Sequence, residues 1–171
     1  MKKFWNADKI VSISAMVVSV GSLFVIVYQT SLIRREQHAS VMPYLELAES
    51  TKHPKHLAFK LSNTGLGPAM IKEVHVRYKE EVYEGGYQSF YYQFFSPTGW
   101  HTANPIRPGQ LIPANTEITL LETGDEASYE RIAKLDSAFY SGEAILEIVY
   151  ASIYGETWIL RSNEFIPQEL D

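Results

Sequence analysis

Hydrophobic and polar positions change their rhythm twice along this chain. From Ile10 to Tyr28, "IVSISAMVVSVGSLFVIVY", nineteen residues carry no charge, and the uncharged run continues to Ile33 before Arg34 and Arg35. A helix rises about 1.5 Å per residue and a bilayer core is about 30 Å thick, so roughly 20 residues span it. The run predicts a transmembrane helix over residues 10–30, behind a short polar tail at 1–9. Trp5 and Tyr28 flank it, where membrane-interface aromatics sit. A signal peptide has a shorter apolar core and a small-residue cleavage site. The following "QTSLIRREQHASVM" has no helix breaker before Pro43. It predicts a helical stalk over 31–42 ending at Met42, because the residue before a proline disfavours helix.

After Pro43 the period drops to two. "YLELAES" (Tyr44 to Ser50) starts a strand. In "HLAFKLSN", Leu57, Phe59 and Leu61 share one face, and Ala58, Lys60 and Ser62 the other. "VHVRY" turns Val74, Val76 and Tyr78 inward and His75 and Arg77 outward. "EITLLET" places Ile118 and Leu120 together. "AILEIVYASIYGETWILRS" reads as a hairpin with arms Ala144–Ser152 and Glu156–Ser162 and a turn at Tyr154–Gly155. Two stretches break the pattern. "GYQSFYYQFF" has Tyr87, Phe90, Tyr91, Phe94 and Phe95 at helical spacing and reads as a short helix or an edge strand. "DEASYERIAKLDSA" predicts a short surface helix starting at Asp125, with Tyr129, Ile132 and Ala133 on one side. Between them "SPTGWHTANPIRPGQLIPAN" predicts a long ordered loop holding Pro97, Pro105, Pro108 and Pro113. The fold class expected for 43–171 is mainly β: an antiparallel Ig-like β-sandwich with one or two short inserted helices.

Charge narrows the partners. From Val41 onward the chain carries 18 acidic and 10 basic side chains, a net charge of −8. That argues against a broad surface for nucleic acid polymers. The chain has no cysteine, which removes disulfides, thiolate metal sites and cysteine nucleophiles. Orientation follows basic residues near the helix ends. Lys2, Lys3 and Lys9 precede the span and Arg34 and Arg35 follow it, a small excess that leans toward the β-domain lying outside the cytoplasm. Within the span Ser12, Ala15, Ser19 and Ser22 form a stripe of small residues on one helical face. Such a stripe is a packing face for a homo-oligomer or another membrane protein, or else a chance run of serines that the bilayer tolerates.

One glycine-rich segment, "SNTGLGPAMIKEV" (Ser62 to Val74), raises the question of a phosphate site. A phosphate loop needs backbone N–H groups converging on an anion, usually at a helix start. Here Gly65-Leu66-Gly67 is followed by Pro68, which has no N–H, and then by a strand pattern. The segment reads instead as a structural turn built on Asn63, Gly65, Gly67 and Pro68, with the glycines permitting positive φ. "NTGLGPAMIKEV" resembles the N-x-G-x-G-P-A-x-[IV] segment of many bacterial proteins with an immunoglobulin-like or similar β-domain. With "WNADKI", "YQTSLIRREQ", Pro43-Tyr44-Leu45 and "VYASIYGETW", the layout is similar to a group of uncharacterised single-pass bacterial membrane proteins. The resemblance implies placement in the bacterial cytoplasmic (inner) membrane and the β fold. It carries no catalytic residue.

Candidate chemistry is thin. His53 and His56 flank Pro54-Lys55 and lack a third ligand nearby, so a solvated hairpin turn is the simpler reading than zinc. His75 is expected to face outward beside Arg77, and His101 lies in the proline-rich loop. No nucleophile motif or acid/base pair of carboxylates is evident, and Glu80, Glu81 and Glu84 read as a polar turn. No catalytic residue, metal site or cofactor is expected. Tyr87, Tyr91, Phe95 and Trp100 are the candidate partner-binding aromatics; the alternative is that they plug one end of the sandwich. The function expected is a non-enzymatic, membrane-anchored interaction or binding module, which the stripe in the span would make an oligomer or a subunit of a membrane complex. The competing expectation is a ligand-gated effector of the nucleotide-messenger type with a cytoplasmic sensor domain. Its anion candidates are Arg77, Arg107, Arg131 and Arg161, and their convergence would favour it.

Overall fold

The computed structural model describes residues 7–53, 56–94, 101–164 and 166–170, with the side chains of 39, 50–53 and 126–128 set aside. Two units divide the chain, Met1–Ser40 and Val41–Asp171. The first is one α-helix, α1 (Ala7–Ser40), of 34 residues. It runs without interruption through the expected span and most of the expected stalk. Asp8 in its first turn and His38 in its last suit the helix dipole. It stops just short of Met42, in keeping with Pro43 beyond. Its apolar side chains are exposed along the whole segment. It is long and apolar enough to cross a membrane, a property that signal sequences share.

Among the described residues the second unit holds ten strands and two helices, in the order β1 (Leu45–His53), β2 (His56–Asn63), β3 (Ala69–Tyr78), β4 (Glu81–Glu84), α2 (Gly86–Phe94), β5 (His101–Ala103), β6 (Leu111–Ile112), β7 (Thr116–Thr123), α3 (Glu126–Tyr140), β8 (Ala144–Ala151), β9 (Thr157–Arg161) and β10 (Gln168–Leu170). They make two sheets. One has the order β1-β2-β7-β5; the other runs β10-β9-β8-β3-β4, with β6 added on the start of β3. Every pairing is antiparallel. The unit is therefore mixed α and β, built on two antiparallel sheets.

Alternation explains the long strands. Val76 pairs with Leu146, and Ile148 with Leu160, all four buried on one face of the second sheet. Leu45, Leu57 and Leu61 from the first sheet join the same core cluster, as do Phe90 from α2 and Ile132 and Leu135 from α3. The helix α3 is longer than a short surface helix. It buries Ile132, Leu135 and Phe139, while Ala133 is only half-buried. Three such side chains stabilise by on the order of 5–8 kcal/mol. That is enough to hold a helix of a length that is marginal alone.

Four short strands were not expected. Lys79 and Glu80 adopt positive φ (49° and 67°), the conformation of a two-residue hairpin turn. The turn returns the chain as β4, with Tyr78 opposite Glu81 and His75 opposite Glu84. So Glu81 and Glu84 lie on a strand, and only Glu80 is in the turn. Likewise β5 and β6 lie inside the proline-rich segment, and β10 pairs with β9 near the C-terminal end.

Candidate binding site

The glycine turn is organised by Asn63, which is buried at 1% exposure. Its Nδ2 donates to the carbonyls of Gly67 at 2.9 Å, Ile112 at 3.0 Å and Pro113 at 3.2 Å. Its Oδ1 accepts from the N–H groups of Gly65 at 3.1 Å and Tyr44 at 3.2 Å. The loop amides of Leu66 and Gly67 both donate to the Met42 carbonyl. They face a chain segment, so they are not presented to an anion. Neither Gly65 nor Gly67 has positive φ. Glycine is needed there for a different reason from the one expected: a Cβ on Gly65 would strike the backbone of 42–44, and one on Gly67 would strike the Val41 carbonyl.

Two of the four candidate arginines converge, and they do so on a carboxylate. Glu147 on β8 has His75 of β3 and Arg161 of β9 as its ladder neighbours. Its oxygens accept from Arg161 Nε at 2.9 Å and from Arg77 Nη2 at 2.8 and 3.1 Å, and His75 Nε2 lies 2.7 Å away. Burial pushes the Glu147 carboxyl up, but the bonds from Arg161 and His75 and the Arg77 charge outweigh it, and the net displacement is downward. Glu147 thus occupies the place that an anionic ligand would take. Arg107 lies on an exposed loop and Arg131 on α3, and neither joins this cluster.

The aromatic candidates separate. Tyr87 and Tyr91 are buried, at 5% and 0% exposure, so neither belongs to an exposed patch. Phe95 and Trp100 lie outside the described residues. In α2 the rings of Phe90 and Phe94 meet Tyr78 and Tyr83 from β3 and β4. In α1, Ser12 and Ser19 donate their hydroxyls to the carbonyls of Asp8 and Ala15, each at 2.8 Å. The stripe with Ala15 and Ser22 is exposed, but these two hydroxyls already have partners in their own helix.

The arrangement best suited to holding a ligand is a cleft of about 300 Å³ where β1 and β2 meet α2 and α3. Its wall is aromatic. Phe59 lies 5.0 Å from Tyr87, and Tyr87 stacks on Phe139 at 4.8 Å and 12°. Tyr140, 93% exposed, stands at the rim. Two carboxylates, Glu49 of β1 and Asp136 of α3, line it. Burial and then the Asp136 charge raise Glu49, and burial raises Asp136. The Tyr87 hydroxyl is buried without a hydrogen-bond partner among the described residues. Burial first, then the Asp136 and Glu49 charges, hold that phenol well above the usual tyrosine range. The cation lining the cleft, Lys60, is paired with Glu117. Of these residues only Tyr87 stood out in the sequence. Glu49 and Asp136 look like ordinary surface acids until the fold brings β1 beside α3.

The backbones of His53 and His56 are partners at the end of the β1–β2 hairpin. His56 Nε2 lies 3.0 Å from Glu122, and His101 Nε2 3.0 Å from the Tyr92 hydroxyl. Among the described residues no group of three histidines or carboxylates could hold a metal ion. No protein-family model, curated protein or solved structure matches this chain.

Proposed function

We propose that this chain is a single-pass, membrane-anchored binding module of the bacterial cytoplasmic membrane, without catalytic activity of its own. The domain from 43 onward is an Ig-like β-sandwich in which α2 and α3 are insertions, as the resemblance of the Asn63–Pro68 turn suggests. The observation that carries the binding role is the aromatic cleft, where two carboxylates meet a buried hydroxyl that has no partner among the described residues. Such clusters are enriched at functional sites. The non-enzymatic reading draws on the histidines: His56, His75 and His101 are each held by a neighbour outside the cleft. The excess of lysines before the span supports a β-domain outside the cytoplasm, and the small-residue stripe supports pairing of α1 with a second copy or another membrane protein. The messenger-gated alternative rests on Arg77 and Arg161, whose charge Glu147 already answers, so it stands second.

Fragment mapping tests the binding role. The full chain in lipid nanodiscs, titrated with a small library of neutral and charged aromatic fragments, is expected to show NMR shifts gathered around Tyr87, Asp136 and Phe139. Shifts scattered over the surface, or none, would remove the cleft from the proposal. Placement is tested by fusing alkaline phosphatase, and separately a fluorescent protein that fails to mature on export, after Asp171. Phosphatase activity without fluorescence is the expected result; the reverse puts the domain in the cytoplasm and restores the messenger reading.

A further inference from the structure

Two carboxylates on different elements converge on one concave, largely aromatic space. Glu49 comes from β1 and Asp136 from α3. Asp136 is half-buried, Glu49 sits at a more exposed position, and the Asp136 charge adds repulsion to Glu49. The lining lysine does not relieve them, because Lys60 is paired with Glu117 on β7. The Tyr87 hydroxyl is an independent sign that the cleft is a site. Tyr87 is 5% exposed and lines the same cleft, and its hydroxyl is buried with no hydrogen-bond partner among the described residues. A buried polar group left in that state costs about 1–3 kcal/mol.

The occupant has to satisfy all three groups at once. An anion would add to the charge of Glu49 and Asp136. A metal ion would find only two carboxylate ligands beside apolar rings, and hard cations seek more oxygen ligands than that. An ammonium group meets the requirement: it donates N–H bonds to the carboxylates and to the phenol oxygen, and aromatic faces attract cations. The size is consistent. A cleft of about 300 Å³ displaces on the order of ten waters, which suits an amine carrying a small apolar body.

We propose that this cleft binds a small organic ammonium cation, its charged head between Glu49 and Asp136, one N–H directed to Tyr87 Oη, and its apolar body against Phe139 and Tyr140. The inference rests on the binding-module reading and adds the ligand class to it. Lys60 then serves to keep Glu117 occupied at the cleft edge and takes no part in holding the ligand.

The test is a charge series at constant shape, on the full chain in nanodiscs. Phenethylammonium, 2-phenylethanol and 3-phenylpropanoate are titrated calorimetrically at neutral pH, with NMR shifts locating the site. Phenethylammonium is expected to bind in the cleft at least about tenfold more tightly than the alcohol, a difference of about 1.4 kcal/mol, and the carboxylate least of all. Asp136→Asn is expected to remove that preference, and Glu49→Gln, on an exposed strand position, to weaken it. Tyr87→Phe is expected to weaken phenethylammonium more than 2-phenylethanol, with circular dichroism unchanged. Equal affinity for ammonium and alcohol in the cleft would overturn the inference and leave the binding module standing. No binding of any of the three would overturn both. An ammonium preference that survives Asp136→Asn and Glu49→Gln together would assign the cation elsewhere and overturn the inference.

Discussion

Glu147 and Arg161 face each other across β8 and β9, with the Arg161 Nε–H donating to Oε1 at 2.9 Å. The carboxylate is almost wholly covered, at 1% exposure, whereas the Arg161 side chain is a quarter exposed and that of Arg77 half exposed. Glu147 and the two arginines beside it therefore do not contribute equally. Removing Glu147 breaks its charge-assisted bonds to Arg161 and Arg77 together, a loss of about 3 kcal/mol; removing one exposed partner costs less than about 1 kcal/mol. Glu147→Gln is expected to lower stability by about 3 kcal/mol and Arg77→Ala by under about 1. Denaturant unfolding of the full chain in detergent measures both. Equal losses would mean that the cluster is a surface feature without a buried hub.

Acid should act on this domain in two opposite directions. Glu147 is displaced downward in the folded state, so its contribution is complete above the ordinary glutamate value and lost as pH falls through the folded value. Glu49 and Asp136 are displaced upward, so folding favours their protonated forms. Their contribution is complete below the ordinary carboxyl values and is lost as pH rises through the folded ones. The thermal midpoint is expected to rise on mild acidification from neutral pH and to fall again under stronger acid. Asp136→Asn should raise the midpoint at neutral pH and flatten the rise. A lower midpoint at neutral pH would show that the Asp136 carboxylate is stabilising, contrary to its desolvated position.

The glycine turn makes a separate prediction about shape. Asn63 joins the start of β1, the end of β2 and the 112–113 segment through five hydrogen bonds. Asn63→Ala leaves buried carbonyl and amide groups without partners, and a loss of about 3 kcal/mol is expected. Gly67→Ala should cost more than about 2 kcal/mol, because its Cβ would overlap backbone that has nowhere to yield. Gly109 has open space around it and positive φ, so Gly109→Ala should cost only about 1 kcal/mol of backbone strain. Chemical unfolding of the three variants checks the order, and a Gly109 loss larger than that of Gly67 would refute the close-approach argument.

The sequence is most legible where periodicity runs long. The β8–β9 hairpin falls within about one residue of its expected arms, because Leu146, Ile148, Tyr150, Trp158 and Leu160 alternate over enough positions to show the buried face. The short strands β4, β5, β6 and β10 have 2–4 residues each. At that length there is no period to read, and pairing with a neighbour supplies the strand. The ambiguity of "GYQSFYYQFF" is resolved at Gly85 and Gly86, both with positive φ, which turn the chain out of β4 and into α2. The candidate site is less legible still. Tyr87 stands out by composition, but the carboxylates that give the cleft its chemistry come from two elements distant in sequence, and no spacing rule connects them.

The stripe in α1 separates volume from hydrogen bonding. Ser12 and Ser19 already bond to carbonyls four residues earlier in their own helix, so in a packed pair their value lies in being small. If α1 pairs through this face, as proposed, Ser19→Ala keeps the surface small and should leave association unchanged. Ala15→Leu and Ser19→Leu each hold the partner helix away and should weaken it several-fold. Energy transfer between labelled copies of the full chain in lipid vesicles reads the difference. Association lost on Ser19→Ala would mean that the hydroxyl leaves Ala15 to bond across the interface. Association untouched by both leucine substitutions would place any seam on another face of the helix.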